Sequence, residues 1–207
     1  MSRKRKKFLA AANGFVAVLI MFCGFYVRAR PMVFNESFLG HAHCIKLTSI
    51  ALDGYAAEHD GRFPVDTNGY GNALLQLTNY GGCGEAFTGP GYDGKVFEEA
   101  ARTGRRIPES ECGRVYVQGL SETNNPEIAL FFDKLPSPGG DHCHFPWRLY
   151  APLAREVCTI GNGGYRVIRE SEWKAYATNQ IELLVATGIP RERAQEYYAE
   201  SPKPSPK

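Results

Sequence analysis

The chain of 207 residues is long enough for one domain of ordinary size and too short for two comfortable ones. With 43% hydrophobic and 22% charged residues, its composition excludes a disordered or fibrous protein. Seven of the 24 basic residues lie in residues 1–30, which contain no acidic residue. Residues 31–207 therefore carry 17 basic and all 22 acidic side chains, which gives them a net charge of −5. A basic excess confined to one end excludes a nucleic-acid-binding domain.

An apolar run from Phe8 to Val27 comes directly after the basic residues 1–7 and predicts a transmembrane helix. As a helix these residues extend about 30 Å, which matches the hydrocarbon core of a bilayer. The positive-inside rule places residues 1–7 in the cytoplasm, so the chain is predicted to contact the lipid bilayer through residues 8–27 and to export residues 28–207. A cleaved signal peptide is the alternative, although its apolar core is usually about 7–15 residues long.

Residues 31–200 predict a single exported α+β domain that begins with helices. An approximate helical stripe of apolar and small residues predicts a helix over residues 36–59, which Gly61 and Pro64 then stop. Two shorter helices are predicted over residues 71–79 and 94–104.

The second half of the domain predicts strands and then helices again. β-branched and aromatic residues predict short buried strands at 114–117 and 128–132. Two further runs, 156–160 and 165–168, flank a Gly- and Asn-rich turn and predict a hairpin. Ser171 is predicted to cap a helix that runs to Ala186. A short helix over 191–200 and a disordered Pro- and Lys-rich tail over 201–207 complete the prediction.

Six cysteines agree with an exported domain, since disulfides persist in oxidising compartments. Cys23 lies within the apolar run, and the other five allow two disulfides in 15 arrangements. We favour the pairs Cys83–Cys112 and Cys143–Cys158, because each joins loop-like segments at moderate separation. Closing loops of that size contributes on the order of 3 kcal/mol each in the chain-entropy model.

Three stretches carry a resemblance to a known family: CIKLTSIALDGYAAEHDGRFP at 44–64, PEIALFFDK at 126–134 and REVCTIGNGGYRVI at 155–168. Their order resembles bacterial pseudopilins of the type II secretion and type IV pilin superfamily. The resemblance implies a membrane helix that continues into a soluble helix packed on a small antiparallel sheet, here with a C-terminal helix. It also implies a protein of the inner (cytoplasmic) membrane with a periplasmic or extracellular domain, and other pseudopilins or secretion-apparatus membrane proteins as partners.

One departure from the family concerns processing. Prepilins carry a Gly-Phe cleavage junction and a glutamate at the fifth mature position. Gly14-Phe15 resembles the junction, but the fifth position counted from Phe15 is Leu19, and the apolar run contains no glutamate. The resemblance therefore favours the fold more strongly than incorporation into a filament.

Two His/Cys clusters are the candidates for a metal site. His41 and Cys44 can share one face of a helix, and His142 and His144 can share one side of an extended segment. Imidazole and thiolate are ligands that suit zinc or copper. The alternative is that these are surface histidines beside disulfide cysteines, and we therefore predict no resident metal or other cofactor.

Signatures of catalysis are absent from the sequence. The Gly-rich stretches at 81–84 and 161–164 match neither a phosphate-binding loop nor a dinucleotide fingerprint. We therefore expect no catalytic residue and a non-enzymatic assembly or interaction role, for which type II secretion is one context. The alternative function is a periplasmic metal- or ligand-binding module that uses the His/Cys clusters.

Overall fold

The computed structural model describes residues 43–80, 87–93, 95–138, 151–161 and 164–199, and of residues 43 and 44 only the backbone. The described residues belong to one compact unit. The predicted basic tail, the predicted span at 8–27 and the predicted disordered tail lie outside them. Among the helices of the described part, none combines the length and apolarity needed to cross a bilayer.

The first described helix, α1, spans His43–Glu58 and accounts for most of the helix predicted over 36–59. Its end is a left-handed turn, in which Asp60 and Gly61 have φ angles of 55° and 73°. The Gly61 amide donates to the Ala56 carbonyl oxygen at 2.9 Å, which closes the helix. The stop predicted at Gly61 is therefore confirmed, and it turns the buried Phe63 back into the core.

Short helices occupy the segment between α1 and the sheet. Helix α2 spans Tyr70–Leu75 and continues as a 3₁₀ helix over Gln76–Tyr80, which together confirm the helix predicted over 71–79. Helix α3 spans Lys95–Thr103, within the range predicted for it. A 3₁₀ turn at Glu109–Glu111 comes next, which was not predicted from the sequence.

Five strands form one antiparallel sheet: β1 Arg114–Tyr116, β2 Ala129–Asp133, β3 Ser137–Pro138, β4 Leu153–Thr159 and β5 Tyr165–Arg169. Strand β4 is central, because β2 and β3 pair with successive parts of it while β5 pairs along its length. Strand β1 pairs with β2 at the edge. The predicted hairpin and both predicted strands are confirmed, whereas β3 was not predicted.

Two helices end the described chain. Helix α4 spans Glu170–Ala186 and α5 spans Arg191–Tyr197, close to the two predicted helices. The prediction that Ser171 caps α4 is wrong, because Arg169 occupies the N-cap position and Ser171 lies within the first turn. Gln180 is buried on α4, where its amide accepts from the Ala129 backbone N–H and donates to the Glu127 carbonyl oxygen.

Helices α1 and α4 cover opposite faces of the sheet. The Arg114 guanidinium lies 5.6 Å from the Phe131 ring and bonds to Asp133, so these two β2 side chains share a face. Phe132 lies between them in sequence and contacts Trp173 of α4, on the other face. The architecture is therefore an α+β domain with a small antiparallel sheet between helices, as the fold class predicted.

Candidate interaction surface

Most of the predicted site residues fall outside the described part of the chain. This holds for His41, His142, His144, Cys83 and Cys143. Cys44 lies in the first turn of α1, and its side chain is not described. Within the described ranges, no group of three or more His, Cys, Asp or Glu side chains is placed to hold a metal ion. The two His/Cys clusters therefore remain predictions.

The two predicted disulfide cysteines that the structure describes are both buried and both carry free thiols. Burial raises the pKa of Cys112 to about 12 and that of Cys158 to about 11. Both thiols are therefore protonated at neutral pH, which makes them poor nucleophiles. The structure therefore has no disulfide at Cys112 or Cys158, and because the proposed partners Cys83 and Cys143 lie outside the described residues, the two pairings remain predictions.

A cluster of buried charges lies within the sheet on the side that α1 covers. The Arg114 Nε donates to Asp133 Oδ1 at 2.8 Å, and its Nη2 donates to Glu156 Oε2 at 3.3 Å. All three side chains are almost wholly shielded from solvent. The Tyr165 hydroxyl donates to Glu156 Oε1 at 3.1 Å, and the Glu156 amide donates to Asp133 Oδ2 at 2.9 Å. We name Arg114, Asp133 and Glu156 the charge cluster.

The charge cluster contains two carboxylates and one guanidinium. The excess of carboxylates affects the pKa of Asp133. Burial raises the pKa of Asp133 to about 7, and the nearby Glu156 contributes to the rise. Arg114 opposes the rise through its charge and its hydrogen bond. Asp133 therefore loses its proton near neutral pH, whereas a solvent-exposed aspartate loses its proton at a much lower pH.

The inner face of α1 is partly polar where it meets the sheet. Thr48 and Ser49 are buried there beside the apolar Ile45 and Leu52. The Ser49 side chain is hydrogen-bonded to the Cys158 thiol of β4. Since buried hydroxyl groups are costly without a partner, this contact helps to fix the helix on the strand.

The outer face of α1 carries two exposed apolar side chains among polar ones such as Lys46 and Asp53. Ile50 is 63% exposed and Leu47 is 38% exposed, and they lie three residues apart on adjacent turns of one face. Only Val65 and Leu153 are further large hydrophobic side chains exposed in the described part of the chain. We name Leu47 and Ile50 the outer stripe.

The opposite side of the sheet carries an aromatic cluster that packs around one ion pair. Phe132 stacks on Tyr198 with ring centroids 4.7 Å apart, and Trp173 lies 5.5 Å from Phe132. The Arg155 guanidinium lies 4.5 Å from the Trp173 ring centroid and forms two 2.9 Å hydrogen bonds with Glu170. These contacts hold α4 on the sheet through ring packing and a cation–π contact.

Comparison of the chain with protein-family models, with curated proteins and with solved structures finds no match. Any function proposed for the chain therefore rests on its sequence and on the geometry of the described residues. Neither the charge cluster nor the outer stripe was predicted from the sequence. The charge cluster joins residues 19 and 42 positions apart, which no local pattern links. The outer stripe could have been found by placing Leu47 and Ile50 on a helical wheel beside the buried positions.

Proposed function

We propose that the protein is a non-enzymatic, pseudopilin-like assembly protein, anchored in the bacterial inner membrane by residues 8–27 with residues 1–7 in the cytoplasm. Its exported domain associates with other chains through the outer stripe of α1. A role in type II secretion is the biological context that this proposal favours. The exposure of Ile50 and Leu47 on a helix whose other face is fixed to the sheet is the observation that carries it.

Exposed apolar side chains on one helix face are typical of a surface that another protein covers. A solvated helix face is ordinarily polar, as on most helices that pack against a core. Covering Ile50 and Leu47 removes apolar area from water at about 25 cal/mol per Å². That contribution is modest, so the outer stripe supports association best when the partners are already concentrated together.

A second copy of this chain is the occupant that we propose for the outer stripe. Only 15 residues, 28–42, separate the predicted span from the start of α1, and an extended chain of that length reaches about 50 Å. The predicted anchor therefore keeps the α1 helices of all copies near one membrane surface. Confinement to a surface raises the effective concentration of one copy for another, which compensates for the small apolar area.

Photo-crosslinking in membranes tests this proposal. The photoreactive residue p-benzoylphenylalanine replaces Ile50 in the full-length chain, and in a matched control it replaces Lys174, an exposed residue on α4. Irradiation is expected to yield a covalent dimer of this chain from position 50 and none from position 174. A product with another identified secretion-apparatus protein would retain the assembly role and replace the second copy as the occupant. Equal yields at both positions, or no product, would overturn the proposal.

A substitution separates assembly from folding. Ile50→Glu places a charge in the outer stripe, where the side chain is already largely in solvent. The free energy of unfolding is expected to change by less than about 0.5 kcal/mol. Crosslinking from a second exposed position, Leu47, is expected to fall strongly in this variant. An unchanged yield from position 47 would show that the outer stripe is not the contact surface.

A further inference from the structure

A pocket of about 440 Å³ lies on the side of the sheet away from the charge cluster. Helix α2, the 3₁₀ turn, β1 and α5 contribute to its wall through Tyr70, Glu109, Val115 and Arg193. Its volume falls in the range typical of small-molecule sites, about 300–1,000 Å³. Neither the proposed assembly role nor the predicted His/Cys clusters involve any of these residues.

Lys134 is the buried cation of this pocket. The residue is only 9% exposed, and its ammonium lies 5.5 Å from the Tyr70 ring centroid and 5.9 Å from that of Tyr92. Within the described residues its ammonium donates one hydrogen bond, to the Glu109 carbonyl oxygen, and forms no ion pair with a carboxylate. An ammonium has three N–H donors, so Lys134, which lines the pocket, retains donors beyond this bond.

The other charges of the pocket are paired with one another. Arg193 bonds to Glu196 at 2.8 Å and to Glu109 at 3.4 Å. Among the described residues the wall carries two positive and two negative side chains, and Lys134 is the one whose charge is not matched by direct contact. Burial lowers the pKa of Lys134, and the negative charge of Glu109 opposes that effect. A bound anion would oppose it more strongly.

We propose that this pocket binds a small monocarboxylate, whose oxygens accept hydrogen bonds from the Lys134 ammonium. The rings of Tyr70 and Tyr92 and the side chain of Val115 pack against the apolar body of the ligand. A phosphate dianion is disfavoured, because the carboxylates of Glu109 and Glu196 border the same space. The site is independent of the assembly surface, since α1 contributes no residue to the pocket wall.

Binding of simple probes to the full-length protein in a nonionic detergent tests the proposal. Phenylacetate, its neutral counterpart phenylacetamide, and inorganic phosphate are titrated separately and followed by ligand-observed NMR. We expect phenylacetate to bind, and both other probes to bind at least tenfold more weakly. No binding of phenylacetate, or binding of either other probe with equal or greater affinity, would overturn the proposal.

Substitutions test whether phenylacetate binds in this pocket. Lys134→Met is expected to weaken phenylacetate binding at least tenfold, since a hydrogen bond to a charged group contributes about 1.5–3 kcal/mol. Lys174→Met, at an exposed lysine on α4, is the matched control and is expected to bind as the wild type does. Tyr92→Ala, at a half-buried ring, provides a second test that does not depend on the folding of the Lys134 variant. Wild-type affinity in either pocket variant would overturn the assignment.

Discussion

The two long helices that cover the sheet differ in what they present to solvent. The exposed positions of α4 are mainly polar: Ser171, Glu172, Lys174, Thr178, Asn179 and Glu182. Those of α1 include Leu47 and Ile50, although the buried positions of the same helix include Thr48 and Ser49. The exposed surface of α4 is therefore mainly polar, whereas that of α1 combines polar residues with two apolar side chains, which are the ones that our proposal assigns to a contact with another chain.

The two interfaces beneath these helices differ as well. Under α1 the sheet buries the charge cluster, and under α4 it buries stacked aromatic rings. Ring packing contributes stability directly, whereas a buried ion cluster is stable only while every partner is present. The α1 side therefore depends on charge balance, and substitutions on the two sides of the sheet are expected to differ in their effects.

The largest effect is expected from Arg114→Met, which leaves two buried carboxylates without their cation. The free energy of unfolding is expected to fall by about 3–5 kcal/mol, measured by urea denaturation. The matched control replaces the whole charge cluster with apolar residues, as Arg114→Met, Asp133→Leu and Glu156→Met together. This triple variant is expected to recover much of the loss, because no unpaired charge remains. A loss below about 1 kcal/mol in the single variant would contradict the dependence of the α1 side on charge balance.

On the opposite side, Trp173→Ala removes the ring that contacts Phe132, Tyr198 and Arg155. The free energy of unfolding is expected to fall by about 3 kcal/mol, because a large cavity forms under α4. Trp173→Phe, as the control, retains a ring and is expected to lose less. The pH dependence of stability is expected to stay as in the wild type, since the charge cluster is untouched. A changed pH dependence would show that the two sides are not separable.

The pH dependence of stability distinguishes the two sides further. Asp133 has a pKa of about 7 in the folded protein, against about 3.9 for an aspartate in an unfolded chain. The stability that protonation of Asp133 contributes to the folded protein is fully present below a pH of about 4. It is lost as the pH rises through about 7. The melting temperature is therefore expected to fall between pH 5 and pH 8, as calorimetry would show. Asp133→Asn is expected to flatten this dependence, and Glu172→Gln, an exposed control, to leave it unchanged.

The smallest expected effect comes from Tyr198→Phe. The Tyr198 hydroxyl is buried and has no hydrogen-bond partner among the described residues. Its removal is expected to raise the free energy of unfolding by about 1 kcal/mol, because a buried hydroxyl without a partner is costly. Tyr116→Phe is the matched control, since its hydroxyl donates to the Pro64 carbonyl oxygen at 2.8 Å, and this variant is expected to be destabilised. Equal shifts in both variants would contradict the assignment of hydrogen bonds.

Much of the fold could be predicted because its signals are local. The stop at Gly61 and the hairpin of β4 and β5 each follow from residues adjacent in sequence. Strand β3 could not be predicted, because two residues ending in Pro138 carry no periodic pattern and pair only through the start of β4. Ser171 was the wrong cap because the chain leaves β5 and enters α4 at Arg169 without a loop.

The candidate surface and the pocket were harder to predict, because burial depends on distant contacts. Arg114 is hydrophilic by type, yet it is buried because Asp133 and Glu156 meet it from two other strands. Lys134 comes directly after an apolar strand and gives no local sign that Tyr70 and Tyr92 will enclose it. The exposure of Ile50 likewise follows from the placement of α1 on the sheet and not from its residue type.

Gln180 joins α4 to the sheet at a place where the ladder is interrupted. The register between β2 and β4 shifts between Ala129 and Phe131, and the Gln180 amide supplies the bond to the Ala129 N–H at 2.8 Å. A single backbone proton is thus held by a helix instead of by a neighbouring strand. The rate of hydrogen–deuterium exchange at the Ala129 amide therefore reports how often α4 undocks from the sheet. It reports this motion separately from the opening of the sheet itself.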